Sequence, residues 1–192
     1  MSTTPTSPRP QLARPKRADA RRNYEKLLAA ARAAFTEADE AASLEDIARR
    51  AGVGIGTLYR HFPTRQVLIE AVYVDEVEAL ARSAQDVADL PPWDALATWL
   101  RRFLDYVATK QALINELFAE GAESSVFAAC RAMMYEAGEP LLERAQAAGV
   151  VRSDVEFNDV IHLVAGISKL TLPELGQTER IFDIALDGIR PR

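Results

Sequence analysis

The sequence predicts an all-α fold, in which a three-helix head containing a helix-turn-helix is followed by a larger helical body. Three observations carry this. Apolar residues recur at three- and four-residue spacing along most of the chain. No stretch alternates apolar and polar residues as a half-buried strand would. Breaks at Gly52, Pro63, Pro91-Pro92 and Gly149 cut the chain into helix-length pieces. With 192 residues and 48% hydrophobic composition, the chain is large enough to bury one or two helical cores without covalent staples.

Residues 1–18 carry Pro5, Pro8, Pro10 and Pro15 among Ser, Thr and Arg, too few apolar groups to fold, and are expected to form a disordered basic tail. Arg9, Arg14, Lys16 and Arg17 put positive charge ahead of the first helix, either as a solvated leader or as an arm along phosphates or in a minor groove.

Residues 19–73 are expected to form the head. Tyr24, Leu27, Leu28, Ala31 and Phe35 recur on one face of its first helix. Ser43 and Asp46 make a serine-x-x-acid capping signal, and Leu44, Ile47, Ala48 and Ala51 then form one apolar stripe that ends at Gly52. A second short helix begins near Ile55 and stops by Phe62, because Pro63 pushes the residue before it out of the helical region. With Leu58 at the centre of the buried face, Gly56 and Arg60 point nearly opposite, while Thr57 and Tyr59 lie on the flanks. Ile55 falls about 60° from Leu58, closer to the core than to a partner. Two short helices joined by a glycine turn suit DNA, with an open glycine and an arginine towards the bases and hydroxyls towards phosphates. The same spacing occurs in helical proteins that never touch nucleic acid.

Residues 74–192 are expected to form the body. Thr64 caps a helix running from Arg65 to about Gln85, whose Leu68, Ala71 and Val72 face the head. After Pro91-Pro92, the residues Leu96, Leu100, Phe103, Leu104 and Val107 define an amphipathic helix, and a separate shorter piece follows around Ala112–Phe118. The next helix, about Ser125–Ala148, carries Val126, Phe127, Cys130, Met133, Met134, Ala137, Leu141 and Ala145 on one face, kinks at Pro140 and ends at Gly149. From Phe157 to Leu170 apolar residues encircle the helix, which must then be covered on more than one side. Val160, Leu163, Val164 and Ile167 are therefore expected at a two-fold dimer interface, built with the preceding helix as a four-helix arrangement. A final helix, about Glu179–Gly188, offers Ile181, Phe182, Ala185 and Leu186 as a lid.

The words Ile47-Ala48-x-x-Ala51-Gly52-Val53 and Gly56-Thr57-Leu58-Tyr59-Arg60-His61-Phe62-Pro63-Thr64-Arg65 closely resemble the signature of the TetR family of bacterial transcriptional regulators, over roughly residues 19–72. The resemblance implies an all-helical homodimer with an N-terminal DNA-binding head and a body that dimerises and holds an effector. It implies that Thr57, Tyr59, His61 and Arg65 meet the phosphate backbone and that Gly54, Ile55, Gly56 and Arg60 lie where the groove is read; Ser43 is counted with this set. The chain departs from the family pattern at Gly54 and Ile55, where a hydroxyl residue and a polar or basic one are usual. Neither can hydrogen-bond a base through its side chain, so direct readout leans on Arg60 to a guanine edge, with Ile55 against a thymine methyl as the lesser reading.

The net charge of −5 divides unevenly: residues 1–65 hold 12 Lys/Arg against 7 Asp/Glu, and residues 66–192 hold 11 against 21. A basic head follows phosphates while an acidic body is repelled from them. The single cysteine, Cys130, forms no intrachain bridge and reads as a small buried apolar residue. No run approaches the roughly 18–20 apolar residues of a membrane span and no signal core opens the chain, so a cytoplasmic protein is expected. Two histidines, His61 and His162, and the absence of a nucleophile elbow, zinc-binding motif or phosphate loop argue against an enzyme, with no catalytic residue, metal or cofactor expected. His162 reads as a hydrogen-bonded interior or interface residue.

Phe103, Tyr106, Val107, Leu117, Phe118, Phe127, Cys130, Met133 and Met134 supply more large, adaptable apolar surface than one small core needs. They are either core or the lining of an effector pocket. The function expected is a dimeric regulator, a repressor released from its double-stranded DNA operator by an unidentified small-molecule effector. The alternatives are a body that binds a protein partner and, less favoured, a helical enzyme.

Overall fold

The computed structural model describes residues 14–37, 42–119, 124–170, 174 and 176–191, without the side chains of 36, 37, 109–119, 124 and 125. Among these residues lie eight helices and no strand: α1 (Ala18–Glu37), α2 (Leu44–Ala51), α3 (Ile55–His61), α4 (Arg65–Asp86), α5 (Pro92–Ala119), α6 (Ser124–Ala147), α7 (Phe157–Ser168) and α8 (Gln177–Gly188). The all-α class is as expected. Most of the expected tail, Arg9 included, lies outside the described residues. Two compact units emerge, the first comprising the described residues up to Glu76 with those of Gln111–Cys130, the second Val77–Lys110 with Arg131 onward.

In the first unit α1 packs against α2 and α3. Tyr24, Leu27, Leu28, Ala31 and Phe35 are buried as their spacing predicts, together with Ile47, Ala48, Leu58 and Phe62. Asp75 on α4 accepts from Arg14 at 2.8 Å and from Arg32 at 2.7 Å, and Arg32 also pairs with Glu76. Arg14, expected in a solvated leader or an arm along DNA, is thus paired with a carboxylate on α4. Tyr73 of α4 meets Phe127 of α6 edge-on at 5.4 Å. The start of α6, read from sequence as part of the body, packs with the head.

The second unit is centred on Trp99, which is fully buried. Its indole N–H donates to the Leu80 carbonyl at 3.2 Å, and its ring stacks on Phe103 at 6.1 Å and lies 6.0 Å from Phe157. Arg144 closes the α4–α5 connection by donating to the carbonyls of Ala88 at 2.6 Å and Leu90 at 3.1 Å. Gly149, with φ +68, follows the end of α6 as predicted.

Three expectations need correction. α5 runs from Pro92 to Ala119 without a break, so no separate helix exists around Ala112–Phe118. Nothing between Val107 and Ala112 is Gly or Pro, so no strong stop signal interrupts the helix there. Val160, Val164 and Ile167 are buried within the chain itself, only 2%, 1% and 5% exposed, whereas Leu163 is 45% exposed. α8 lies alongside α7, and Trp99 and Tyr135 close on Phe157, so most of the apolar circumference is covered internally. His162 is exposed and hydrogen-bonded, its Nδ1 2.8 Å from the Asn158 carbonyl, so of its two expected placements the interior one is excluded.

Gly138 marks the tightest approach in the second unit. A Cβ there would lie 2.5 Å from Phe157 Cζ and from Trp99 Cη2. Both rings are buried, with little open space to swing into, so Gly138→Ala is expected to cost about 1–3 kcal/mol through overpacking and to lower Tm by several degrees in a thermal melt.

Candidate nucleic-acid interface

The helix-turn-helix is built by local signals that agree with one another. At the start of α2 the Ser43 hydroxyl accepts from the Asp46 backbone N–H at 3.1 Å and donates to the Asp46 carboxylate at 2.9 Å. The Ser43 hydroxyl and then the Arg49 guanidinium hold the Asp46 carboxyl below the usual aspartate range. Gly52 closes α2 in the left-handed region at φ 67, where a Cβ would strain the backbone, and its N–H returns to the last turn. Gly54 precedes α3 in extended backbone, and Phe62, ahead of Pro63, ends it with its N–H on the Leu58 carbonyl at 2.8 Å.

Leu58 is fully buried and anchors α3 on the head. Its other residues sort by exposure: Gly54, Gly56 and Arg60 are open, Tyr59 is 45% exposed, and Thr57 is half-buried. Ile55 corrects the sequence reading, since it is 37% exposed rather than core. It is the first residue of α3, so no preceding turn covers it, and its glycine neighbours have no side chains to shield it. His61 is half-buried with its ring edge-on to Tyr24 at 6.0 Å.

Two members of the expected contact set serve the scaffold. The Ser43 hydroxyl has a single proton and gives it to Asp46, so it caps α2 rather than offering a donor to phosphate. Arg65 donates to the Ala42 carbonyl and lies 5.2 Å over the Phe35 ring, tying the end of α1 to the entry of α2. Sequence spacing gave no signal for these scaffold contacts. The expected effector lining divides between the units: Phe127 and Cys130 belong to the first, and Phe103, Tyr106, Val107, Met133 and Met134 to the second. Cys130 is fully buried, as predicted. The side chains of Leu117 and Phe118 lie outside the described residues.

A family model for bacterial regulatory proteins of the tetR family matches residues 27–72, and one for the SbtR-like transcriptional regulator C-terminal domain matches residues 91–191, over half of the chain. The chain belongs to the TetR family. It is therefore a DNA-binding transcriptional regulator and not an enzyme. Among solved structures, the TetR regulator SCO0520 from Streptomyces coelicolor is 42% identical with a TM-score of 0.75, over 88% of this chain and 98% of that one. A TetR regulatory protein from Mycobacterium vanbaalenii is 33% identical with the same TM-score of 0.75, over 92% of this chain and 100% of that one. The HTH-type transcriptional regulator SAR0097 of Staphylococcus aureus MRSA252 is 28% identical over 118 residues, 58% of this chain. UidR of Escherichia coli K12 is 30% identical over 106 residues, 54% of this chain. The chain spans 62% and 54% of the lengths of these two relatives. No helix among the described residues of this TetR-family chain is long and apolar enough to cross a membrane.

The Ser43 cap yields a testable consequence. Ser43→Ala should destabilise the protein by about 1 kcal/mol at neutral pH, as cap removal typically does. The Asp46 carboxylate, with its lowered pKa, supports the cap above the ordinary aspartate range and is lost as pH falls through that lowered value. The difference between wild type and Ser43→Ala in denaturant titrations should therefore narrow in acid.

Proposed function

We propose that this TetR-family regulator is a homodimeric repressor that reads its operator through α3 and is released by a small-molecule effector. The observation that carries the DNA reading is the composition of the open side of α3. Arg60 is its one long hydrogen-bonding side chain, suited to the two acceptors of a guanine edge. Tyr59, Thr57 and His61 flank it and suit the phosphate backbone, as does Arg65 from the position it holds beside α2. Two copies entering successive major grooves require half-sites about 34–36 Å apart, or a longer spacing with altered head angle.

The dimer reading rests on the second unit. α7 has no charged residue between Asp159 and Lys169, and it exposes Leu163; α8, packed beside it, exposes Ile184 at 70%. An uncharged helix face with large exposed aliphatic side chains on two adjoining helices suits a second copy related by a two-fold axis. The effector reading rests on the buried Phe103 and Tyr106 and the half-buried Met133 and Met134 of the same unit, adaptable apolar surface suited to an amphipathic organic molecule. Such a ligand acts by binding the released state more tightly than the DNA-bound one.

In vitro selection of duplexes with the whole protein tests the DNA reading. On the selected site, Arg60→Ala should cost about 1–3 kcal/mol and relax preference at one position per half-site, while Tyr59→Phe weakens all duplexes alike. Equal losses on matched and mismatched duplexes would remove Arg60 from base readout.

Leu163→Glu and Ile184→Glu should each give folded monomers by sedimentation that have lost operator binding, since one head makes too few phosphate contacts. Both variants remaining dimeric would move the interface elsewhere.

A further inference from the structure

Among the described residues of the first unit, the large apolar side chains left exposed are Ile55 and Tyr59, both on α3. Tyr59 carries a hydroxyl that water or phosphate can satisfy. Ile55 has no polar atom to offer, yet a wheel centred on Leu58 turns it towards the core, and the fold leaves it 37% exposed. It is flanked by Gly54 and Gly56, and a Cβ built on either would meet nothing within 4 Å. Neither glycine has positive φ, so neither backbone position demands glycine. The result is an isoleucine that is 37% exposed, with open space at both flanking glycines for a partner to approach closely.

Resting on the DNA reading above, we propose that Ile55 is a specificity residue that packs against the 5-methyl group of a thymine in the operator half-site. The edges of the bases in the major groove are polar except for one feature, the thymine methyl. An isoleucine set against any other edge would leave a buried donor or acceptor unpaired, so it discriminates against cytosine, guanine and adenine while rewarding thymine. The missing side chains at Gly54 and Gly56 let the duplex come near enough for van der Waals contact with Ile55. Arg60, on the same short helix, takes a guanine. The half-site is then specified by one apolar and one charged contact, in place of the row of polar contacts that a hydroxyl and a basic residue at these positions would make.

The test uses the whole protein and duplexes recovered by in vitro selection. Each thymine is replaced in turn by deoxyuracil, which deletes the methyl group and nothing else. Wild-type protein should lose about four-fold in affinity at one thymine per half-site, the change that burying one methyl group is worth. Ile55→Ala should bind the thymine duplex correspondingly less well and be indifferent to uracil at that position. Its thermal melt should fall by a few degrees at most, because Ile55 is already partly exposed, and the methyl dependence is read on protein that remains folded. A selected consensus with no shared thymine overturns the assignment. So does wild-type binding that ignores uracil at every position, or an Ile55→Ala variant that keeps the full methyl dependence. Failure to select any duplex overturns the DNA reading itself, an outcome distinct from selective binding without methyl dependence.

Discussion

A helix of seven residues does not persist alone in water, since the cost of nucleating it is not recovered over so few hydrogen bonds. α3 exists because Leu58 and Phe62 are buried with α1, the Phe62 ring lying 5.0 Å from Tyr24. That single anchorage fixes which residues the helix turns outward. With Leu58 inward, Gly56 and Arg60 follow outward from the helical period alone while Tyr59 falls on a flank, and Gly52 sets where the period starts. Core packing and the DNA-facing surface are therefore not separate problems in this head. A change that loosened Leu58 would misdirect Arg60 without touching it.

The parts of the structure that were legible in the sequence are those set by local chemistry. The Ser43 cap, the left-handed Gly52, the stop at Pro63, the start of α5 at Pro92 and the close of α6 near Gly149 each depend on a residue whose backbone or side chain permits little else. The apolar stripe of α1 was legible because it is one continuous face, turned as a whole towards α2 and α3. What failed was the inference from periodicity to coverage. Periodicity identifies an apolar residue but not the element that covers it, so Val160, Val164 and Ile167 pointed to a partner chain while their own unit was burying them. Ile55 failed in the opposite sense. The wheel angle assumes a helix already surrounded, and the first residue of α3 has no turn before it.

Trp99 and Gly138 show why packing centres are hard to read. Trp99 lies between the expected apolar positions of α5, and Gly138 sits two residues from Pro140, which drew the attention of a local reading. Only their approach across the unit gives Gly138 its meaning, because the space a side chain would need is already filled by Trp99 and Phe157. The same holds for Phe127, whose neighbour Tyr73 is more than fifty positions away in sequence. No window of eleven to eighteen residues contains such a pair.

The basic surplus of the first 65 residues also looks different once partners are known. Arg14 and Arg32 are spent on Asp75 and Glu76, Arg49 on Asp46, Arg22 on Asp19, and Arg65 on a backbone carbonyl and an aromatic face. A guanidinium already neutralised by a carboxylate displaces fewer counterions from DNA than its formal charge suggests, because bringing it to a phosphate first requires giving up its partner. Asp75 and Glu76, the partners of Arg14 and Arg32, lie beyond the first 65 residues, so the surplus counted there overstates the charge this head presents. Weaker non-specific attraction raises the share of discrimination that base contacts must carry. On α3 those contacts have few side chains to draw on: Arg60 has the donors, Gly54 and Gly56 have none, and Ile55 has only its methyl groups. On the proposed reading, an arginine fork and an aliphatic finger on one seven-residue helix would provide two chemically opposite tests of a groove, one satisfied by paired acceptors and the other by the absence of any polar atom.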